Sequence, residues 1–334
     1  MGDKLLEIEN LSVNFHTPEG IARAVDGVGF TLATGETVGL VGESGCGKSV
    51  TALSILGLIP SPPGQIEAGE IRFDGQNLLD LDNESLRNMR GRYISMIFQE
   101  PMTSLNPVLT IGRQVAEPLM IHQGLKRAAA FERAAEWLDR VKIPAAAKRL
   151  KDYPHELSGG MRQRVMIAMA MVCGPKLLIA DEPTTALDVT IQAQILSLMT
   201  DLKEEVAMSV LLITHDLGVV AQMASRVMVM YAGQIVEEAG VVDVFDHPFH
   251  PYTRGLLKSA PRTAYPGNRS RRLIEIPGTV PPLTRQLVGC KFTERCRHSF
   301  ELCRQQQPTL FQISSGHRAR CWLMKYPQNR RDDA

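Results

Sequence analysis

The sequence lacks the features that would place it in a membrane or on a nucleic acid. Its longest uninterrupted apolar run, Val165 to Cys173, has nine residues, whereas a helix needs roughly 20 to cross a bilayer. The 37 Lys and Arg residues nearly balance the 36 Asp and Glu residues, which gives no general reason to expect an acidic partner. The first residues also lack the basic start and apolar stretch of a signal peptide. We therefore expect a cytosolic chain that binds no nucleic acid.

Cysteine is scarce and unevenly distributed. Four of the six cysteines lie in the last 45 residues, and in a reducing cytosol such clustering favours metal ligation over disulfides. The gaps between Cys290, Cys296, Cys303 and Cys321 hold five, six and seventeen residues, so the tight CxxC pairs usual in zinc ribbons are missing. Four thiolates suit a [4Fe–4S] cluster. Zinc and unliganded thiols stay open as alternatives.

The order of apolar and polar segments predicts an α/β core. Short β-rich runs separated by turn residues occupy about residues 5–39. From about residue 100 to residue 160 the pattern is helical and charged. The later runs KLLIADEP and SVLLITHD are typical of buried parallel strands that end in polar residues. We predict one domain over residues 1–259, with a helical subdomain at about 100–160, and a separate module over 260–334.

A phosphate-binding loop is the most specific single motif. It follows an apolar strand and precedes a segment compatible with a helix, as a P-loop requires. Its glycines let backbone N–H groups surround phosphate oxygens. We expect Lys48 to reach the β- and γ-phosphates and Ser49 to ligate Mg²⁺, while the thiol of Cys46 is incidental. The predicted nucleotide-binding residues of this loop are Gly42, Glu43, Ser44, Gly45, Cys46, Gly47, Lys48 and Ser49.

Two adjacent carboxylates end the apolar run that starts at Leu177. In nucleotide hydrolases with this arrangement, one carboxylate holds the magnesium shell and another group acts on the attacking water. We therefore predict that Asp181 is the residue on the Mg²⁺ side and that Glu182 is the general base. The P-loop by itself does not distinguish GTPases, kinases, helicases and transporters.

The segment Leu157 to Arg164, LSGGMRQR, resembles the signature sequence of ABC ATPases. Ser158, Gly159 and Gly160 would open a helix and form a second anion-binding cradle. The resemblance implies that this cradle serves the ATP of a partner subunit. It also implies a fold of the ABC ATPase type, which is a P-loop NTPase core with a helical subdomain.

Further motifs follow in the order of that family. The resemblance implies that Gln99 contacts the metal and water and links to the permease, that Asp188 lies across a dimer interface, and that His215 contacts the γ-phosphate. Phe15 occupies the place where the family stacks an aromatic ring on adenine. A histidine at a strand end and a half-buried strand aromatic also occur for structural reasons, so these assignments depend on the order of the motifs.

The resemblance is closest to the ATPases of bacterial dipeptide and oligopeptide importers. It is carried by residues 100–107 (EPMTSLNP), by residues 247–253 (HPFHPYT) and by the four terminal cysteines, which are similar to those of cluster-bearing members. The prolines beside His247 and His250 favour a rigid turn over a metal site.

The family resemblance implies a subunit that hydrolyses ATP with Mg²⁺ and powers import of dipeptides or oligopeptides. It would pair with a related but distinct ATPase and with two transmembrane permease subunits at the cytoplasmic face of the membrane, and would serve an extracytoplasmic peptide-binding protein indirectly. The alternative is a soluble ABC ATPase with a redox-regulatory or nucleic-acid role. The long coiled-coil insertion or second cassette of chromosomal or ribosomal members is missing, which favours the transporter.

Overall fold

The computed structural model describes residues 3–99, 104–185, 187–259 and 275–331, and the chain divides into two compact units. The first unit is built from Met1–Leu5, Leu32–Thr37 and Asp74–Ile213. The second is built from Leu6–Thr31, Val38–Phe73 and Thr214–Ala334. Neither unit is continuous in sequence. The predicted boundary at 259/260 adjoins residues 260–274, which lie outside the described part, and it stays a prediction.

Strands and helices follow one another along the described residues, and both are numbered in chain order. The strands are β1 (Lys4–Thr17), β2 (Gly20–Ala33), β3 (Thr37–Val41), β4 (Gly64–Phe73), β5 (Gln76–Asn77), β6 (Ile94–Ile97), β7 (Leu177–Asp181), β8 (Ser209–Thr214), β9 (Arg226–Tyr231), β10 (Gln234–Gly240), β11 (Phe311–Ser314) and β12 (His317–Ala319). The helices are α1 (Lys48–Ile55), α2 (Asn83–Met89), α3 (Ile111–Gln123), α4 (Arg127–Arg140), α5 (Ala146–Arg149), α6 (Gly159–Met171), α7 (Val189–Glu205), α8 (Leu217–Met223), α9 (Val241–Asp246), α10 (Pro251–Ser259) and α11 (Glu301–Gln305). None of these helices is both long and apolar enough to cross a bilayer.

The first unit contains parallel strands and a group of helices. Strand β7 pairs in parallel with β6 on one side and with β8 on the other. All residues of β7 (LLIAD) and β8 (SVLLIT) are buried, as expected for mainly apolar parallel strands that are covered on both faces. Helix α4 buries Ala130, Ala134 and Leu138 at helical spacing and packs against α3. These helices lie in the segment where the sequence pattern becomes helical.

The second unit contains two sheets. In one, β1 pairs antiparallel with β4. In the other, β3 and β9 are parallel, while β10, β12 and β11 follow as antiparallel neighbours. The core of this unit brings Tyr231 of β9 together with Tyr252 of α10 and with Phe292, whose ring lies 5.2 Å from that of Tyr231. The segment that carries the cysteines is therefore packed onto β9.

Candidate functional site

The P-loop lies in the second unit, between β3 and α1. Strand β3 is buried along its whole length, and it leads directly into the loop at Gly42. A Cβ atom on Gly42 would lie 2.2 Å from the carbonyl oxygen of Met230, and one on Gly47 would lie 2.2 Å from that of Ala24. Gly47 also has a φ of 107°, so both positions need glycine. The strand, loop and helix follow in the predicted order.

The side chain of Lys48 is buried against its own loop. Its Nζ donates to the carbonyl oxygens of Gly42 at 2.9 Å and Glu43 at 3.1 Å. It also lies 3.8 Å from the sulfur of Cys46, where burial raises the pKa of the thiol. The thiol is therefore neutral at physiological pH, and the positive charge of Lys48 is held by backbone oxygens.

The apex of the loop fits a polyphosphate chain. Ser44 and Gly45 are exposed, and outside residues 44–46 no atom of the described residues lies within 4 Å of the point that a Cβ on Gly45 would occupy. Ser49 is half-buried in the first turn of α1. An open loop of backbone with a lysine ammonium beside it suits a nucleotide phosphate and its Mg²⁺ ion.

Two further predicted residues belong to the second unit. Phe15 is half-buried in β1, opposite Gly64 of β4. His215 is exposed directly after β8, and the next residue, Asp216, begins α8 by accepting the backbone N–H of Gly218 at 2.8 Å. The start of α8 therefore fixes the backbone around His215.

The carboxylate pair lies in the first unit, at the end of β7. Asp181 is buried, with 4% of its surface exposed. Glu182 has a φ of 48°, a value that side chains rarely allow and that is found at functional turns. Its carboxylate Oε2 accepts hydrogen bonds from Nε2 of Gln99 at 2.9 Å and from the Thr185 hydroxyl at 2.8 Å. The structure therefore brings Gln99 and Glu182 together.

The signature residues begin helix α6 of the same unit. Ser158 caps the helix, and its hydroxyl accepts the backbone N–H of Met161 at 3.4 Å. Gly159 is exposed and Gly160 is half-buried. Asp188 caps α7 by accepting the N–H of Ile191 at 3.0 Å. Both caps order a helix N-terminus, which provides the polarity that an anion needs.

Sequence reasoning missed two polar residues beside these motifs. Thr185 contacts the predicted base, and Gln163 of α6 donates to the carbonyl oxygen of Pro183 at 2.5 Å. Gln163 is 2% exposed, so this bond links the signature helix to the turn after β7 inside the unit. A polar residue among the apolar positions of α6 was the sequence signal that could have indicated the role of Gln163. Motif residues 100–103 and 186 lie outside the described part of the chain.

The four terminal cysteines lie in the second unit as thiols. Cys303 and Cys321 are buried, and Cys290 and Cys296 are half-buried. Burial, together with the neighbouring thiols, raises the pKa of Cys290 and of Cys321 to about 12 each and that of Cys296 to about 11. Within the described ranges, no three Cys, His, Asp or Glu side chains form a group that could hold a metal ion. The structure therefore does not arrange the predicted thiols as a ligand set.

Two known protein families match this chain, one in its N-terminal part and one in its C-terminal part. The family described as ABC transporter matches residues 25–185, and the family described as Oligopeptide/dipeptide transporter, C-terminal region, matches residues 236–303. The alternative of a soluble ABC ATPase with a redox or nucleic-acid role gains no support from these matches.

Curated relatives match along nearly the whole chain. The Oligopeptide transport ATP-binding protein OppD of Bacillus subtilis is 51% identical over 321 residues, which are 96% of this chain and 89% of the relative. The protein of the same name from Salmonella typhimurium is 51% identical over 318 residues, which are 95% of this chain and 93% of the relative.

A solved structure supports the fold. A dimeric ATP-binding cassette in a post-hydrolysis state, bound to ADP and Pi, has a TM-score of 0.64 and 29% identity, and the match covers 71% of this chain and 98% of that one. The predicted ABC ATPase fold is thus confirmed. The chain belongs to the ABC transporter family, as an ATP-hydrolysing ATP-binding subunit with a C-terminal region of the oligopeptide/dipeptide transporter type.

Proposed function

We propose that this subunit powers the import of dipeptides or oligopeptides through a separate membrane permease. The observation that carries the proposal is the match of residues 236–303 to the oligopeptide/dipeptide transporter C-terminal region. That region includes α10 and Phe292, which are part of the core of the second unit. The relatives named as oligopeptide transport proteins support the same substrate class.

The proposed assembly contains two ATPase subunits and two transmembrane permease subunits at the cytoplasmic face of the membrane. The second ATPase is a related but distinct chain, and an extracytoplasmic peptide-binding protein delivers the substrate. The dimeric state of the solved cassette supports pairing of two ATPases. Ser158, Gly159 and Gly160 of one subunit would then bind the ATP of the other, with Asp188 at the interface.

Nucleotide binding in this proposal depends on the P-loop. Its backbone N–H groups bind the phosphates, Lys48 neutralises the β- and γ-phosphates, and Phe15 stacks on adenine. Ser49, Gln99 and Asp181 would hold Mg²⁺, which would neutralise the charge that develops during phosphoryl transfer. The open apex at Gly45 and the buried ammonium of Lys48 support this assignment.

Hydrolysis in this proposal depends on Glu182. Its carboxylate orients a water molecule and accepts its proton as the water attacks the γ-phosphate. The hydrogen bonds from Gln99 and Thr185 to the same oxygen, Oε2, fix the orientation in which the carboxylate meets the water. His215 contributes a contact to the γ-phosphate.

We also propose that Cys290, Cys296, Cys303 and Cys321 bind a [4Fe–4S] cluster. The donor set supports this, because all four side chains are thiols and the backbone N–H of Cys290 donates to the carbonyl oxygen of Cys303 at 2.8 Å. A bound cluster would remove the protons that burial now favours. The described geometry holds no finished ligand group, so no step of hydrolysis is assigned to the cluster.

Metal analysis of anaerobically purified protein tests the cluster. We expect brown protein with broad absorption near 400 nm and about four irons per chain, because thiolate-to-iron charge transfer absorbs there. Replacing any one of the four cysteines with serine should lower the iron content, whereas Cys173→Ser, outside the group, should not. Stoichiometric zinc without iron in protein never exposed to air would replace the cluster with a structural zinc site.

Affinity purification of the tagged chain from solubilised membranes tests the transporter assembly. We expect a second ATPase and two membrane-spanning permease subunits to copurify in equal amounts, and mass spectrometry of the complex to find bound peptides. Recovery with ribosomal or nucleic-acid-binding proteins and no permease would support the soluble ABC ATPase instead.

A further inference from the structure

The P-loop residue Glu43 is held by two side chains from the C-terminal part of the second unit. Nη1 of Arg295 lies 3.1 Å from Oε1 and 3.0 Å from Oε2 of the Glu43 carboxylate. The backbone N–H of Glu43 donates to the Tyr252 hydroxyl at 2.9 Å. Both the main chain and the side chain of this loop residue are therefore held by residues more than 200 positions away.

The guanidinium of Arg295 is itself fixed in place. Its Nε donates to the carbonyl oxygen of Pro277 at 2.9 Å, and Nη2 donates to that of Ile276 at 3.3 Å. The guanidinium carbon lies 5.7 Å from the centre of the Tyr231 ring, and only 6% of the side chain is exposed. A planar cation with several directed donors holds its partner in one orientation, unlike a mobile surface lysine.

On the loop side, Glu43 adjoins the groups that bind phosphate. Its carbonyl oxygen accepts the 3.1 Å hydrogen bond from Nζ of Lys48, and the exposed apex begins at the next residue, Ser44. The N–H of Glu43 is already used by Tyr252. We therefore assign Glu43 to anchoring the loop, and the N–H groups that follow it to phosphate binding.

We propose that Arg295 is a positioning residue for nucleotide binding, which holds the P-loop in its phosphate-binding conformation through Glu43. Without Arg295, the carboxylate would have to turn toward water and would move the backbone that carries the acceptor of Lys48. A loop that visits several conformations binds its ligand more weakly, in proportion to the fraction that is competent. The C-terminal region therefore sets nucleotide affinity, whichever peptide the transporter carries.

Equilibrium binding of MgATP to the purified full-length chain tests this role. We expect Arg295→Gln to weaken binding about three- to thirtyfold, the range typical of residues that act through a neighbour. Arg295→Lys should recover part of the loss, because it keeps the charge but lacks the planar fork. Arg285→Gln is the matched control, since Arg285 pairs with Glu294 at 2.7 Å on the exposed surface of the same C-terminal segment, and it should bind like the wild type.

A Glu43→Gln variant separates positioning from simple charge repulsion. If the carboxylate only repelled ATP, its removal would tighten binding, whereas the positioning role predicts weaker binding. The Glu43→Gln/Arg295→Gln double variant should be no weaker than the worse single variant, because both changes break one pair. Thermal melting of every variant identifies a temperature at which all are folded. If Arg295→Gln does not fold, the comparison of Glu43→Gln and Arg295→Lys with the wild type decides the outcome.

Wild-type affinity in the folded Arg295→Gln and Arg295→Lys variants, or tighter binding by Glu43→Gln, would overturn the proposal. In that case Arg295 would contribute only to the stability of the second unit. Copurification with a permease does not depend on Arg295. The proposed function is therefore tested independently of the role of Arg295.

Discussion

The carboxylate of Glu182 is placed by contacts that come from three parts of the first unit. Its backbone N–H donates to Ile213 of β8 at 2.8 Å, while Gln99 and Thr185 donate to the side chain. A left-handed backbone at this residue turns the chain sharply at the end of β7. The strained turn is thus stabilised by its neighbours.

Glu182→Gln tests the role of this residue as the base. The amide cannot accept a proton, so we expect turnover to fall about 10²–10⁴-fold, which corresponds to about 3–5 kcal/mol of barrier. Binding of ATP should change little. Phosphate release in the assembled complex, measured together with nucleotide affinity, checks both parts. Turnover close to that of the wild type would remove Glu182 from this role.

Residue identities in contiguous motifs could be predicted, whereas contacts between distant residues could not. The glycines of the P-loop and the lysine that follows them are required by local backbone geometry, so their spacing identifies them. Gln163 and Arg295 act through hydrogen bonds to residues 20 and 252 positions away. No local pattern fixes such pairs, because the fold decides which chain segments meet.

At the scale of elements, the buried carboxylate of Glu237 joins strand β10 to the start of α10. It accepts the backbone N–H groups of Phe249 at 2.6 Å and His250 at 2.9 Å, and it lies 2.7 Å from Nε2 of His317 in β12. Nδ1 of His250 in turn accepts the N–H of Tyr252. The HPFHPYT motif therefore forms a structural turn, in line with its prolines.

This turn should make the second unit sensitive to acid. Burial lowers the pKa of His250 from 6.5 to about 4. Between those values the unfolded chain binds a proton that the folded chain does not, so stability falls as the pH falls from about 6.5 to 4. The shift corresponds to about 3 kcal/mol. The pKa of Glu237 is lowered as well, although burial opposes this, because hydrogen bonds from His317 and nearby groups favour the carboxylate. The contribution of the Glu237 carboxylate to the stability of the second unit is lost at still lower pH.

Hydrogen exchange in α10 between pH 7 and 4 measures this effect, after correction for the intrinsic pH dependence of exchange. We expect protection of the helix amides to fall with pH in the wild type and to fall less in His250→Gln, whose amide does not titrate. The amides of α4, in the first unit, serve as the internal control. Equal pH dependence in the two proteins would mean that His250 is not the group responsible.

Strands with a long or fully apolar pattern could be predicted, but the shortest ones could not. The runs KLLIADEP and SVLLITHD became β7 and β8, since continuous apolar residues need burial on both faces. Strands β11 and β12 have four and three residues, too few to show alternation. Their position beside β10 depends on long-range pairing.

At the scale of the whole molecule, each compact unit holds part of the predicted machinery. The P-loop belongs to the second unit, while the carboxylate pair and the signature helix belong to the first. This interleaving was not predicted, because motif order along the chain says nothing about which segments fold together. The family's use of a second subunit could be inferred only by resemblance.

Ser158→Arg tests the division of work between subunits. A bulky cation at the start of α6 should block closure of the dimer, so we expect ATP hydrolysis by the complex to be abolished. Binding of ATP to the P-loop of the same isolated subunit should be nearly unchanged, because the signature serves the opposite subunit. Equal loss of binding and turnover would contradict that division.

Uptake of labelled peptide by proteoliposomes that contain the purified transporter tests whether ATP hydrolysis by this chain drives peptide import. The ATPase side faces inward, where MgATP is enclosed, the labelled peptide and the peptide-binding protein are added outside, and phosphate release is measured in the same vesicles. We predict ATP-dependent uptake with the wild-type chain and loss of both uptake and phosphate release with Glu182→Gln, at equal assembly of the complex. Peptide uptake that continues at the wild-type rate with Glu182→Gln, or without ATP, would contradict this prediction.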